Sequence, residues 1–178
     1  MTTISILEAL QVFLKEKVAS SIKLQKPSDG NIHNYELMHP EVHIGWIPPK
    51  GYLPSGMEAA IPCLIVGMDD GTDDGQEAGV NIRISAAVYS PGLHEPQSGS
   101  QIKYTPDFKG YNDLLNLIDR TVAELSKNKV IGNVTIVQAP IKWGMYQDEQ
   151  PYPYWYGWIT FTAKKQTYPQ SNVAENFL

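Results

Sequence analysis

The sequence predicts a single α+β domain, a mixed and mainly antiparallel sheet with two principal helices packed on one face. Two segments, residues 3–24 and 111–129, place apolar side chains at spacings of three and four, as amphipathic helices do. Five short segments rich in β-branched and aromatic residues are typical of strands. A chain of 178 residues is also a usual size for one domain with one core. We therefore expect one domain over residues 1–165.

The first helix is predicted over residues 3–24. Ser5 followed by Glu8 matches a capping box at its start. Its apolar stripe consists of Leu7, Leu10, Leu14 and Val18. Burial of each of these side chains is worth about 1.5–3 kcal/mol, so the helix is expected to dock on the domain.

Three strands are predicted next. Residues 42–47 form a short strand that Pro48 and Pro49 end. Residues 61–68 are apolar on both alternations, which indicates a central strand. Residues 80–89 alternate most clearly, and they are expected to pair antiparallel with 61–68 across the loop DDGTDDGQEAG. Residues 91–109 contain three prolines and two glycines without a period, which predicts a long loop.

The second helix is predicted over residues 111–129, with Gly132 ending it. Its apolar face consists of Leu114, Leu117, Ile118, Val122 and Leu125. Two closing strands follow at residues 134–143 and 154–164. The polar segment 166–178, which ends in Phe177 and Leu178, is either a disordered tail or an extended arm that lies on a neighbouring subunit.

Composition and charge exclude several classes of function. The net charge is −5, and the fourteen Lys and Arg residues form no basic stripe, so tight nucleic-acid binding is not expected. No apolar run reaches the roughly 20 residues that cross a bilayer, and the first residues lack the pattern of a signal peptide. The one cysteine, Cys63, allows no internal disulfide and suits a reducing cytosol.

Candidate metal ligands and nucleophiles have simpler structural interpretations. The carboxylates of segment 69–79 lack the spacing of a calcium loop, and we interpret them as a solvated hairpin tip. His39 and His43 stand four apart but on extended chain, where they span about 13 Å and cannot share one ion. His33 and His94 lie in predicted loops and are assigned structural or surface roles. Cys63 is expected in the core because its surroundings are apolar.

The strongest local signal is a concentration of aromatic residues between positions 143 and 161. Its members are Trp143, Tyr146, Tyr152, Tyr154, Trp155, Tyr156, Trp158 and Phe161. Alternation places Tyr152, Tyr154, Tyr156 and Trp158 on one sheet face, and Trp155, Ile159 and Phe161 on the other. One face is expected to meet the core. The other is either internal as well or exposed as a protein interface, where such rings are enriched.

Three runs of sequence, IPCLIVGMDDGTDDG…VNIRISAAVYSP, KGYNDLLNLIDR and APIKWGMYQDEQPYPYWYGWITFTA, resemble a family of bacteriophage tail terminator proteins. The resemblance covers about residues 42–165 and includes no catalytic motif. It implies a structural subunit without enzymatic activity, cofactor or metal. It further implies a hexameric ring that caps the tail tube, stops tube growth and binds the head connector. The expected location is the tail or neck of the virion, or of a tail-like particle, and the host cytoplasm during assembly.

Two sets of residues are then candidates for function. The interface set is Trp143, Tyr152, Tyr154, Tyr156, Trp158, Phe177 and Leu178. The acidic set, which we expect to face the lumen and let DNA pass without sticking, is Asp69, Asp70, Asp73, Asp74 and Glu77. The alternatives are a head–tail adaptor or another neck protein, and a small metal-dependent hydrolase using Asp69, Asp73, Asp74 and a histidine.

Overall fold

A six-stranded sheet with two helices on one face organises the part of the chain that the computed structural model describes, residues 2–28, 31, 33–46, 60–98, 102–146 and 150–168. The helices are α1 (Thr3–Lys17) and α2 (Gly110–Lys127). The strands are β1 (Leu24–Gln25), β2 (Leu37–Met38), β3 (Glu41–Ile44), β4 (Cys63–Asp73), β5 (Ala78–Tyr89), β6 (Gly92–Pro96), β7 (Ile102–Pro106), β8 (Val130–Ile131), β9 (Thr135–Met145) and β10 (Tyr154–Lys165).

The main sheet has the strand order β3-β4-β5-β10-β9-β8. Strand β3 is parallel to β4, and the other neighbours are antiparallel. Two small antiparallel sheets, β1-β2 and β6-β7, lie outside it. The predicted α+β class is therefore confirmed, including a mixed sheet in which antiparallel pairing predominates.

One hydrophobic core joins both helices to the same face of the sheet. The sheet supplies alternate residues of the central strands, among them Val66 of β4, Ile84 of β5 and Ile159 of β10, which face each other in register. The predicted stripes of both helices are buried, apart from Val122, which is partly buried. We call this the helix face and the opposite side the helix-free face, meaning that neither α1 nor α2 packs there.

The first helix is shorter than predicted and begins with a different cap. The side chain of Thr2, not Ser5, is the cap, because its hydroxyl accepts the backbone N–H of Ser5 at 3.3 Å. The α-helix ends at Lys17 and a turn of 3-10 helix, Ala19–Ser21, follows. The chain must be extended again at β1, so the helix cannot reach residue 24.

The second helix also ends earlier than predicted. Asn128 caps it, since its backbone N–H and its side-chain Nδ2 both donate to the carbonyl of Glu124, at 3.0 and 3.1 Å. The prediction that Gly132 ends the helix is wrong. Gly132 lies in the turn between β8 and β9 with φ +57°, a conformation that favours glycine.

The antiparallel pairing of the two central strands is confirmed, but both strands are longer than predicted. Strand β4 runs to Asp73 and β5 begins at Ala78, so most of the segment predicted as a loop is strand. The turn between them is stabilised by its own aspartates. Asp73 accepts the N–H of Gly75, and Asp74 accepts those of Gln76 and Glu77 at 2.7–2.9 Å.

The prediction of a long loop at residues 91–109 is wrong. Strands β6 and β7 form a hairpin, with Gly92 opposite Pro106 and Pro96 opposite Ile102. The prolines lie at strand ends, where a missing N–H costs least. Most residues of this two-stranded sheet are exposed, so the segment shows no alternation between apolar and polar residues.

The remaining predicted elements are present with small shifts. Strand β3 begins one residue earlier than predicted and covers residues 42–44 of the predicted 42–47; residues 47–50 lie outside the described residues. Strands β9 and β10 match the two closing strands. Of the predicted arm, residues 169–178, with Phe177 and Leu178, lie outside the described residues. Tyr168 precedes them, and its N–H donates to Asp73 at 2.8 Å.

Candidate interaction surfaces

Strand β10 sends its aromatic side chains to both faces of the sheet. Trp155 and Phe161 enter the core on the helix face, as predicted. Tyr154, Tyr156 and Trp158 lie on the helix-free face and are partly buried. Tyr154 lies 5.3 Å from Tyr89, measured between ring centroids. The second face is therefore neither fully internal nor an open aromatic surface.

A small second core underlies these rings on the helix-free face. Its buried members are Ile61, Cys63, Ala87 and Tyr89, and Ile65, Tyr154 and Tyr156 pack against it. Cys63 is 3% exposed, and burial raises the pKa of its thiol to about 12, with the charge of Glu41 adding to the effect. The thiol therefore stays protonated near neutral pH, and its predicted role in core packing is confirmed.

Farther along β10, Trp158 is surrounded by polar and small residues. Arg83 lies over its indole at 5.7 Å from the ring centroid. Arg83 also makes a two-pronged ion pair with Asp69, with Nε–Oδ1 at 2.8 Å and Nη2–Oδ2 at 2.7 Å. The hydrogen bond that Arg83 donates to Asp69 raises the pKa of Arg83. These contacts hold Trp158 against its own sheet.

An exposed aromatic group lies at the end of the sheet where β5 ends and β10 begins. Tyr152 precedes β10, which begins at Tyr154 as predicted, so it does not share the sheet face on which alternation places it with Tyr154. Its hydroxyl and that of Tyr104 both donate to the carbonyl of Pro91, and the two hydroxyl oxygens lie 3.2 Å apart. Phe108 lies 5.7 Å from Tyr152 and is 76% exposed. We call Tyr104, Phe108 and Tyr152 the aromatic group.

The side chain of His94 links this group to the small β1-β2 sheet. Its ring stacks on Tyr35 at 5.0 Å and tilts against Tyr104 at 5.2 Å. Its Nε2 lies 3.1 Å from Nε2 of Gln25. Burial lowers the pKa of His94, and the nearby His33 adds to this. His94 lies in β6 and not in a loop, but the structural role predicted for it agrees with these contacts.

The sequence did not indicate this aromatic group, because its members come from segments far apart. Tyr104 and Phe108 lie in the stretch predicted as a long loop, and alternation assigns Tyr152 to a sheet face with Tyr154, Tyr156 and Trp158. A local signal of a hairpin in this stretch is the alternation of Ile102 and Tyr104 after the polar sequence QSGSQ.

The acidic residues lie at the opposite end of the sheet, on the β4-β5 hairpin. Twelve-residue β5 spans the distance between the two ends, roughly 35 Å. Asp69 pairs with Arg83, Asp70 accepts from Asn81 at 2.6 Å, and Glu77 lies 3.6 Å from Lys164. Backbone hydrogen bonds lower the pKa of Asp73 and of Asp74, so both carry negative charge near neutral pH.

The hydrolase alternative requires a histidine close to the carboxylates of the acidic hairpin. A shallow cavity of about 180 Å³ beside the hairpin is lined by residues that include Asp74, Glu77 and Lys164. His33 and His94 lie beyond the other end of the sheet, and His39 binds the carbonyl of Ile22 at 2.8 Å. Within the described ranges, no three His, Cys, Asp or Glu side chains are grouped so as to hold a metal ion.

Comparisons with models of protein families and with curated proteins found no match to this chain. None of the helices in the described ranges is long and apolar enough to cross a membrane. The geometry defines an α+β fold with an aromatic group at one end of its main sheet and an acidic hairpin at the other.

Proposed function

We propose that this chain is a structural protein of a bacteriophage tail, or of a tail-like particle, that forms a hexameric ring on the tail tube. The ring ends tube growth and provides the surface to which the head connector binds. The observation that carries the proposal is the exposed aromatic group at the end of the sheet. It adds to the resemblance of residues 42–165 to tail terminators.

The aromatic group has the properties of an interface centre. Phe108 is 76% exposed and Tyr152 is 41% exposed, although both are large rings whose burial is favourable. Hydrogen bonds to the Pro91 carbonyl fix Tyr104 and Tyr152. A partner therefore meets a preorganised surface and loses little side-chain entropy on binding.

A ring also needs contacts between unlike surfaces of neighbouring subunits. The two ends of this sheet differ strongly, one aromatic and the other acidic. Such a subunit is suited to head-to-tail association, because the surface it offers at one end is not the surface it offers at the other.

The acidic hairpin is assigned to the lumen. Its five carboxylates are partly offset by Arg83, Lys164 and Lys165, which leaves a net charge of about −2 for each subunit. Six copies would carry about −12, enough to repel the phosphates of passing DNA. The genome then slides through without binding.

The ring is tested by mixing the purified protein with its tail tube protein, followed by mass measurement and negative-stain microscopy. We expect sixfold rings or capped tubes of limited length. Phe108→Ser should abolish capping and leave the unfolding temperature nearly unchanged. Val12→Ser, at an exposed position of α1, is the matched control. Tubes of unlimited length with the unaltered protein would refute the proposal.

The lumen assignment has its own test in infection. Asp70, Asp73 and Asp74 are replaced by Asn, and Glu77 by Gln, while Asp69 is kept for its pair with Arg83. We expect slower DNA delivery from particles of normal morphology. Glu8→Gln with Glu36→Gln removes exposed charge elsewhere as a control. Unchanged delivery by the hairpin variant would place the hairpin away from the DNA.

A further inference from the structure

Among the described residues, none pairs with the outer edge of β9 over its second half. Strand β8 pairs with Thr135 and Ile136, and the N–H of Val137 donates to the carbonyl of Lys129 at 2.8 Å. Beyond them, β9 has a neighbour on one side only, strand β10. An open edge presents unpaired N–H and C=O groups to any strand that can reach it.

The direction of these groups follows from one hydrogen bond. The N–H of Tyr146, the residue that follows β9, donates to the carbonyl of Tyr156 in β10. In an antiparallel strand the backbone groups of alternate residues point to the same side, so the N–H and C=O groups of Gly144 and Lys142 also point to β10. The N–H and C=O groups of Ile141, Trp143 and Met145 therefore point away from β10. Within the described ranges, these outward N–H and C=O groups have no hydrogen-bond partner.

The side chains along this edge are divided by face. Trp143 lies opposite Ile159 of β10 and therefore projects on the helix face, where Ile141 and Met145 pack at the margin of the core. Trp143 is 49% exposed. Lys142 and Gly144 project on the helix-free face.

We propose that this edge pairs with the same edge of a second copy of the chain, in an antiparallel register centred on Trp143. In that register Trp143 faces its counterpart, and Ile141 faces Met145. The outward groups of the two strands then exchange about six backbone hydrogen bonds. A continuous sheet crosses the two-fold axis.

The sequence of the edge favours a copy of itself as the partner. On the helix face, the register brings together the apolar side chains of Ile141, Trp143 and Met145 from both copies. On the helix-free face, each Lys142 lies opposite Gly144. No like charges meet in this register.

Gly144 is already constrained within one subunit. A Cβ on it would lie 3.1 Å from Cζ2 of Trp158, so the indole packs across the glycine. The inference does not rest on the proposed function, because a two-fold contact joins two copies and cannot by itself close a ring.

A charge pair at position 143 tests the register. Trp143→Lys alone and Trp143→Glu alone place like charges opposite each other, and each should be monomeric at concentrations where the unaltered protein is dimeric. An equimolar mixture should recover the dimer. Sedimentation equilibrium measures the masses, and Ile4→Lys, at an exposed site on α1, is the control.

Trp143→Cys supplies a second measurement. Facing residues of a hydrogen-bonded pair have Cα atoms about 5.5 Å apart, within the range a disulfide spans. Oxidation should give a covalent dimer, while Ile4→Cys should not. Cys63 is buried and does not compete.

Three outcomes would overturn the pairing. They are a monomeric unaltered protein throughout the concentration series, a dimer that Trp143→Lys leaves intact, and a mixture of the two charged variants that stays monomeric. If the protein forms hexameric rings that Trp143→Lys does not affect, the pairing fails and the proposed ring stands.

Discussion

Replacing Gly110 by Ala should destabilise the protein, although Ala is the better helix former. Gly110 is the first residue of α2 and packs under the indole of Trp155. A Cβ on Gly110 would lie 2.0 Å from Nε1, 2.6 Å from Cδ1 and 2.7 Å from Cε2 of Trp155. Non-bonded atoms pack at about 3.5–4.0 Å, so the ring or the helix start must move by more than 1 Å.

The magnitude follows from what that movement breaks. Trp155 is 8% exposed, and its Nε1 donates to the carbonyl of Ser90 at 3.2 Å. Overpacking in a core costs about 1–3 kcal/mol, and loss of the buried hydrogen bond adds about 1 kcal/mol. The sum is about 2–4 kcal/mol. In a protein of this size the unfolding temperature should fall by roughly 4–16 °C.

Thermal and urea unfolding, followed by circular dichroism, measure this change. Asn112→Ala, two residues later on the exposed side of α2, is the control and should be nearly neutral. Trp155→Phe removes Nε1, so the double variant Gly110→Ala with Trp155→Phe should lose less than the sum of the single variants. A Gly110→Ala protein at least as stable as the original would refute the packing argument.

Three further predictions concern ionisable groups. Cys63 should not react with an aromatic disulfide reagent in the folded protein at pH 8, and should react fully in urea, because burial raises its pKa to about 12. Burial raises the pKa of Asp113 above its ordinary 3.8, so its contribution to stability is present below pH 3.8 and is lost as the pH rises. Asp113→Asn should flatten that part of the stability profile in urea unfolding. Arg83→Ala should cost about 1 kcal/mol or less in the same assay, because the pair with Asp69 is about one-third exposed.

Local periodicity accounts for the part of the fold that the sequence predicted. The alternation of residues 80–89 and the stripes of α1 and α2 correspond to buried faces, and a buried face imposes its period on the sequence. The hairpin β6-β7 has no such face. Its residues are mostly exposed on both sides, so the prolines and glycines dominated the pattern and predicted a loop.

The surfaces were harder to predict than the core. The aromatic group forms through tertiary contacts, in which Tyr152 meets Tyr104 and Phe108 from more than forty residues away in the sequence. No spacing along the chain predicts such contacts. The acidic cluster was visible in the sequence, but its partners were not. Arg83 reaches Asp69 across a register shift in β4, and such a shift depends on pairing rather than on composition.

The two outer edges of the main sheet differ in how far other described residues cover them, and this difference bears on how copies could associate. At the β3 edge, the side-chain amide of Gln11 donates to the carbonyl of Val42 at 2.8 Å, so α1 occupies a group that another strand would need. At the β9 edge, Ile141 to Met145 have no such cover among the described residues. In the proposed two-fold pairing, the β9 edge of each copy is used up at the first contact. Pairing through that edge then stops at two copies, and the contacts of the proposed ring would come from other surfaces, such as the ends of the sheet.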